Sequence, residues 1–162
     1  MHETIEKSGA RNPPEQTGRL KYMIADIWER LEAIEECYEF MLAYAAKGLT
    51  SDEGTESGRQ IREFLNRAVE ALGGLADRCA TAMHEESIER KDRLPTFLAV
   101  LDRDANDSLA AMELVLAQPA IGSQLIDNLN ASMHLRALLT DVFLSGEVLR
   151  TQRSAAANVA AS

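Results

Sequence analysis

The sequence predicts an all-α fold, an antiparallel up-down four-helix bundle over residues 18–150, between disordered tails at 1–17 and 151–162. Three observations predict it. Apolar residues recur at alternating spacings of three and four along two long stretches, as in helices packed along a seam. Aromatic residues are scarce, at 5%, while Ala and Leu are plentiful, which favours helix over sheet. The connections between periodic stretches are short and polar, so successive helices should run antiparallel.

Residues 1–17 carry Gly9, Pro13 and Pro14 with almost no apolar content and read as a tail. The first helix occupies 20–47. Its seam is Leu20, Ile24, Ile27, Leu31, Ile34, Tyr38, Met41 and Ala45, with no polar intruder. Met23, Trp28, Cys37, Leu42 and Tyr44 widen the stripe, so this helix should touch more than one neighbour. Gly48 reads as the glycine that ends it, and Ser51 or Ser57 as the cap of the next helix. The second helix repeats the pattern at Ile61, Leu65, Ala68, Leu72, Leu75, Cys79 and Ala82. Gly73 and Gly74 cost it about 2 kcal/mol relative to alanine, which leaves a break there open. Because the seam keeps its phase across them, one continuous helix is expected, reaching about Asp92 with Glu86–Arg90 and Glu89–Arg93 as stabilising pairs.

The third helix is expected to start near Pro95, with Leu98, Leu101, Ala105, Met112 and Val115 on one face and Gln118-Pro119 closing it. The fourth, over about 123–150, has a broader stripe: Leu125, Ile126, Leu129, Met133, Leu135, Leu138, Leu139, Val142, Phe143 and Leu149. Residues 151–162 have no seam to bury.

Charge and composition exclude several functions. The formal net charge of −9 would repel a nucleic-acid backbone or an anionic membrane. No apolar run is long enough to span a bilayer, and the N-terminal residues lack the apolar core of a secretory signal. If helices one and two form a hairpin turning near Asp52, Cys79 lies about 18 Å along the axis from Cys37, beyond disulfide reach. Both read as reduced core thiols of a cytoplasmic protein.

Four constellations are candidates for function. Asp26, Glu29, Glu32, Glu36 and Glu39, with Glu35 beside them, form an acidic rail on the first helix, away from its seam. Glu32–Glu36 and Glu35–Glu39 are like-charged pairs, each costing a few tenths of a kcal/mol, so a cationic neighbour is expected: Arg62 or Arg67, or a basic partner protein. Residues 102–113 resemble an EF-hand calcium loop locally. Asp102, Asp104, Asn106 and Glu113 match its ligand positions, but Asp107 replaces the turn glycine, and a long helix with its polar patch facing water, or a plain kink, is the better reading. His2, His84 and His134 form no metal-ligand spacing. Cys37 lies in an acidic stretch, which disfavours a reactive thiolate, and no catalytic signature motif is present. Finally, Trp28, Phe40 and Tyr44 exceed what one seam uses, as in a central helix or an interface.

The expected function is a non-catalytic adaptor, accessory or regulatory subunit. It would use protein–protein contacts of the first helix through Trp28, Glu32, Glu36, Glu39, Phe40 and Tyr44, with a protein partner or a second copy and no cofactor. The alternatives are a metal-binding protein using residues 102–113 and an enzyme with a cofactor in the bundle core.

Overall fold

The computed structural model describes residues 13–85 and 93–161. Among these there are six α-helices and no strand: α1 (Pro13–Ala45), α2 (Glu56–Leu72), α3 (Leu75–Glu85), α4 (Leu94–Leu116), α5 (Ser123–Ala131) and α6 (Met133–Ala160). The all-α class agrees with the sequence reading; the number of helices does not.

The second predicted helix is two. α2 stops at Leu72 and α3 begins at Leu75, with Gly74 between them at φ 70°. Glycine adopts that left-handed conformation without the usual steric penalty, and a continuous helix cannot pass through it. The carbonyls freed by the break are satisfied from another helix. Arg30 Nη1 of α1 donates to the carbonyl oxygens of Glu70 and Ala71 at 3.0 Å and of Gly73 at 3.1 Å, which helix C-termini otherwise leave without partners. The seam keeps its phase all the same: Leu72, Leu75, Cys79 and Ala82 are buried. The fourth predicted helix also breaks, at Ser132 with ψ 131°, into α5 and α6.

The first and last helices are longer than predicted. α1 starts at Pro13, because the fixed φ and missing N–H of proline suit a first helical turn, so residues 13–17 are helix rather than tail. α6 continues to Ala160 through an alanine-rich stretch whose propensity supports helix with no seam to bury. The rest of the expected N-terminal tail, and the Glu86–Arg90 and Glu89–Arg93 pairs, lie outside the described residues.

α1 is the central element. It packs on α2, α3, α5 and α6, while α4 packs on α2, α3, α5 and α6 from the other side. Ile24, Ile27, Leu31, Ile34, Cys37, Met41 and Tyr44 of α1 are buried, and so are Leu101, Ala105, Met112 and Val115 of α4. Each large apolar side chain buried this way stabilises by roughly 1.5–3 kcal/mol before ordering entropy is subtracted. Two residues of the predicted fourth stripe are corrections: Met133 and Phe143 are 80% and 60% exposed.

Where α1 turns into α2, a polar network fixes four elements at once. The buried Asp52 carboxylate accepts from Arg62 Nε and from the Ile121 N–H, the latter at 2.6 Å. The remaining guanidinium nitrogens of Arg62 donate to the carbonyls of Leu116 and Gln118 at 3.1 Å. Tyr44 Oη donates to the Ile121 carbonyl at 2.7 Å, and Ser123 Oγ donates to the Tyr44 carbonyl at 2.7 Å. Gly58 of α2 packs so tightly here that a Cβ would stand 1.8 Å from the Asp52 carbonyl oxygen. The cap of α2 is neither Ser51 nor Ser57. It is Thr55, whose Oγ1 accepts from the Gly58 N–H at 2.9 Å. Ser51 Oγ accepts from the Glu53 N–H inside the turn, and Ser57 Oγ accepts from Lys47.

Candidate functional site

The acidic rail lies along the side of α1 away from the core, and the bundle neutralises it unevenly. Asp26 pairs with Arg30 at 3.1 Å and with Arg78 of α3 at 2.9 Å. Glu36 pairs with Arg67 of α2 at 3.0 Å. Arg67 is therefore one of the expected cationic neighbours, whereas Arg62 is engaged by Asp52. Glu29, Glu32 and Glu39 are exposed, and none of them has an ion pair among the described residues. Glu35 lies on the flank towards α6, where partial burial, and then Glu39 and Glu32, push its carboxyl above the usual range against the pull of Arg150. This is the field expected of a one-signed strip at the edge of a low-dielectric body.

The aromatic residues behave differently. Tyr44 is fully buried with its hydroxyl spent on Ile121, so it is not a surface contact, and a substitution there acts on stability. Phe40 is half-buried and stacked on Phe64 of α2, ring centroids 4.5 Å apart. Trp28 is half-buried against Gly146 of α6, and the guanidinium of Arg150 lies 5.6 Å from its ring centroid. Packing between helices uses most of their surface. Of the six residues expected to bind a partner, Glu32 and Glu39 are fully outward, Glu36 is half-buried in an ion pair, and the three aromatics belong largely to the bundle. The large apolar residues left exposed on α1 are Tyr22, at 79%, and Leu42, at 47%.

Residues 102–113 lie within α4 as continuous helix. Asn106 Nδ2 donates to Asp102 Oδ1 at 3.2 Å, an ordinary i,i+4 contact. Asp102 and Glu113 are separated by eleven residues of helix, about 16 Å of rise, so the calcium-loop positions do not converge. Among the described residues no three His, Cys, Asp or Glu side chains are gathered to hold a metal ion. His84 is exposed in the last turn of α3, His134 is exposed on α6 with Nδ1 3.5 Å from Asp107 Oδ2, and His2 lies outside the described residues. Cys37 and Cys79 are free and buried, and burial pushes their thiols up to about 12 and about 11 respectively. Neither is a thiolate nucleophile near neutral pH.

Two buried carboxylates are absent from the sequence reading. Asp52 looked like one more polar residue in a connection. Burial alone would raise its carboxyl, but the Arg62 hydrogen bond and the Ile121 N–H outweigh burial and hold it below the usual range. Asp141 is 6% exposed in α6 and meets Asp104 of α4; burial first, then Asp104, push its carboxyl up to about 6. A signal for Asp141 was present, since it is the one charge inside the apolar run Leu138, Leu139, Val142, Phe143. Asp52 had no such signal, because its partners come from residues 62 and 121. Compared with known proteins, the chain matches no family model, no curated protein and no solved structure.

Proposed function

We propose that the protein is a non-catalytic adaptor, accessory or regulatory subunit that binds a basic protein surface through the acidic outer strip of α1. On this reading the six helices form four antiparallel rods, with α2–α3 and α5–α6 each one rod broken at a turn. The observation that carries the proposal is the strip Glu29, Glu32 and Glu39, exposed and without ion pairs among the described residues, beside a Glu35 whose carboxyl is raised by burial and then by Glu39 and Glu32. Like charges gathered on one face destabilise a helix by a few tenths of a kcal/mol per pair, and a cationic partner would relieve this while steering association. Leu42 and the exposed edges of Trp28 and Tyr38 add apolar contact beside the charge. No catalytic role is proposed for any residue, and no cofactor. The buried free thiols fit a reducing compartment, the cytoplasm.

The partner is a different protein bearing clustered Lys and Arg, or a basic face of a second copy. Immobilised protein should capture such a partner from an extract of its native cell, and the complex should weaken steeply between about 50 and 300 mM salt as the charges are screened. Glu32→Lys combined with Glu39→Lys should abolish capture without lowering the thermal midpoint. Equal capture by wild type and double mutant, or capture indifferent to salt, overturns the proposal.

A further inference from the structure

The seam between α4 and α6 gathers a buried carboxylate and two buried hydroxyls, all with unpartnered oxygen atoms. Asp141 is buried, its Oδ2 has no hydrogen-bond partner among the described residues, and its carboxyl lies against that of Asp104. One turn further along each helix comes a serine, Ser108 after Asp104 and Ser145 after Asp141. Their exposures are 1% and 0%, and both hydroxyls lack partners. The contrast with the surface is informative. Thr81, Thr140, Thr151 and Ser154, all exposed, donate back to the carbonyl four residues earlier, whereas Ser108 and Ser145 do not.

The other charged groups near this seam offer no counterion. α4 brings Asp107, which is occupied with His134 of α6, and Arg103, on its exposed side. α1 brings Glu35, which interacts with Arg150. Asp127 of α5 is exposed, as are Arg136 and Glu147 of α6, the last paired with Arg150. Two facing carboxylates, one of them out of water, cannot both be ionised without a large penalty, and a single proton held between them turns repulsion into a charge-assisted hydrogen bond.

We infer that Asp104 and Asp141 share one proton and make the α4–α6 seam a pH-sensitive clasp, closed in mild acid and loosened as the pair ionises towards neutral pH. The sign follows from the direction of the Asp141 shift. Its folded carboxyl holds a proton more tightly than the unfolded one, so the stabilisation is complete below the ordinary carboxylate range and is lost as pH rises through about 6. The clasp is independent of the acidic strip of α1, which lies on another helix and needs a partner; the clasp is a property of the isolated protein.

Carbon-detected NMR titration of the side-chain carboxyls tests it directly. Asp141 should titrate near pH 6, and Asp104→Asn, whose amide can donate to an ionised Asp141, should lower that midpoint by about one pH unit or more. Hydrogen exchange, corrected for intrinsic rate, should show the amides of 101–108 and 138–145 less protected at pH 7.5 than at pH 5 in wild type. Asp141→Asn should remove most of the difference, and His134→Gln should leave most of it. An Asp141 midpoint in the ordinary carboxylate range, or one near 6 that Asp104→Asn does not move, overturns the shared proton. Should Asp141→Asn fail to fold, the Asp104→Asn titration decides alone, because Asp104 is half-exposed and its amide preserves shape.

Discussion

The α1–α2 turn and the α4–α6 seam each bury an aspartate, and they do so in opposite conditions. At the turn, Asp52 faces an arginine and a backbone N–H, and the arginine in turn satisfies two carbonyls at the end of α4. At the seam, Asp141 faces another aspartate, with one unpartnered serine hydroxyl a turn along each helix. Burial removes water from both, so what decides the outcome is the sign of the group that replaces it. One site is therefore held ionised and stiffens the fold; the other keeps a proton into mild acid and makes packing depend on pH. Buried polar groups are no more alike than their partners.

The sharpest way to break the first half of that comparison is Gly58→Ala. A Cβ 1.8 Å from the Asp52 carbonyl oxygen cannot be accommodated by a rotamer change, because the obstacle is backbone. The turn must move, and with it the carboxylate that holds Arg62 and Ile121. A loss of about 3 kcal/mol or more is expected, at the upper end for overpacking, read as a fall in the urea midpoint or a failure to fold. An alanine variant as stable as wild type would mean that the turn is loose and the network around it unimportant.

Asp52→Asn comes next in size. It keeps the shape, leaves Arg62 without its carboxylate, and should cost about 3 kcal/mol, as for a partly buried pair that loses one member. It should also change the acid limb of the stability curve. The folded carboxyl of Asp52 lies below its unfolded value, so its stabilisation is present above the ordinary carboxylate range and is lost as pH falls through the folded value. Wild type should weaken in that acid range more steeply than the variant. Asp141 contributes the opposite slope at higher pH, so thermal midpoints against pH should rise and then decline, each aspartate owning one side.

The contrast also accounts for what could be read from the sequence. The seams were legible because their information is local: Ile24, Ile27, Leu31 and Ile34, or Ile61, Leu65 and Ala68, repeat within one helix, and all are buried. The left-handed glycine at Gly48 was legible for the same reason, although α1 itself ends at Ala45, two residues before the expected Lys47. The break at Gly73-Gly74 was not, because the apolar phase runs through it unbroken, and what makes it affordable is Arg30, some forty residues away. The partner role of Tyr44 was misread likewise, since nothing near position 44 reveals that Ile121 offers it a carbonyl. Periodicity reports which face is buried. It does not report which residue on another helix will satisfy a polar group there.

The smallest expected effect belongs to a third environment, the outer strip of α1, where water is the partner. Glu32 and Glu39 are exposed and act on the fold mainly through Glu35, whose carboxyl they help to raise after burial. Glu32→Gln with Glu39→Gln should therefore lower the titration midpoint of Glu35 towards the ordinary range without restoring it, since the burial contribution remains. Stability near neutral pH should rise by about 0.5 kcal/mol or less, because like-charged i,i+4 contacts on a helix surface are worth only that much, and added salt should shrink the gain by screening. The measurement is a pair of urea curves at low and high ionic strength, with Glu35 followed by carboxyl NMR. A loss exceeding about 1 kcal/mol would mean that these carboxylates make contacts inside the fold, which would remove the basis for assigning them to a partner. A small gain would show that the strip serves something other than the stability of the bundle, in contrast to Asp52, where the fold itself uses the charge.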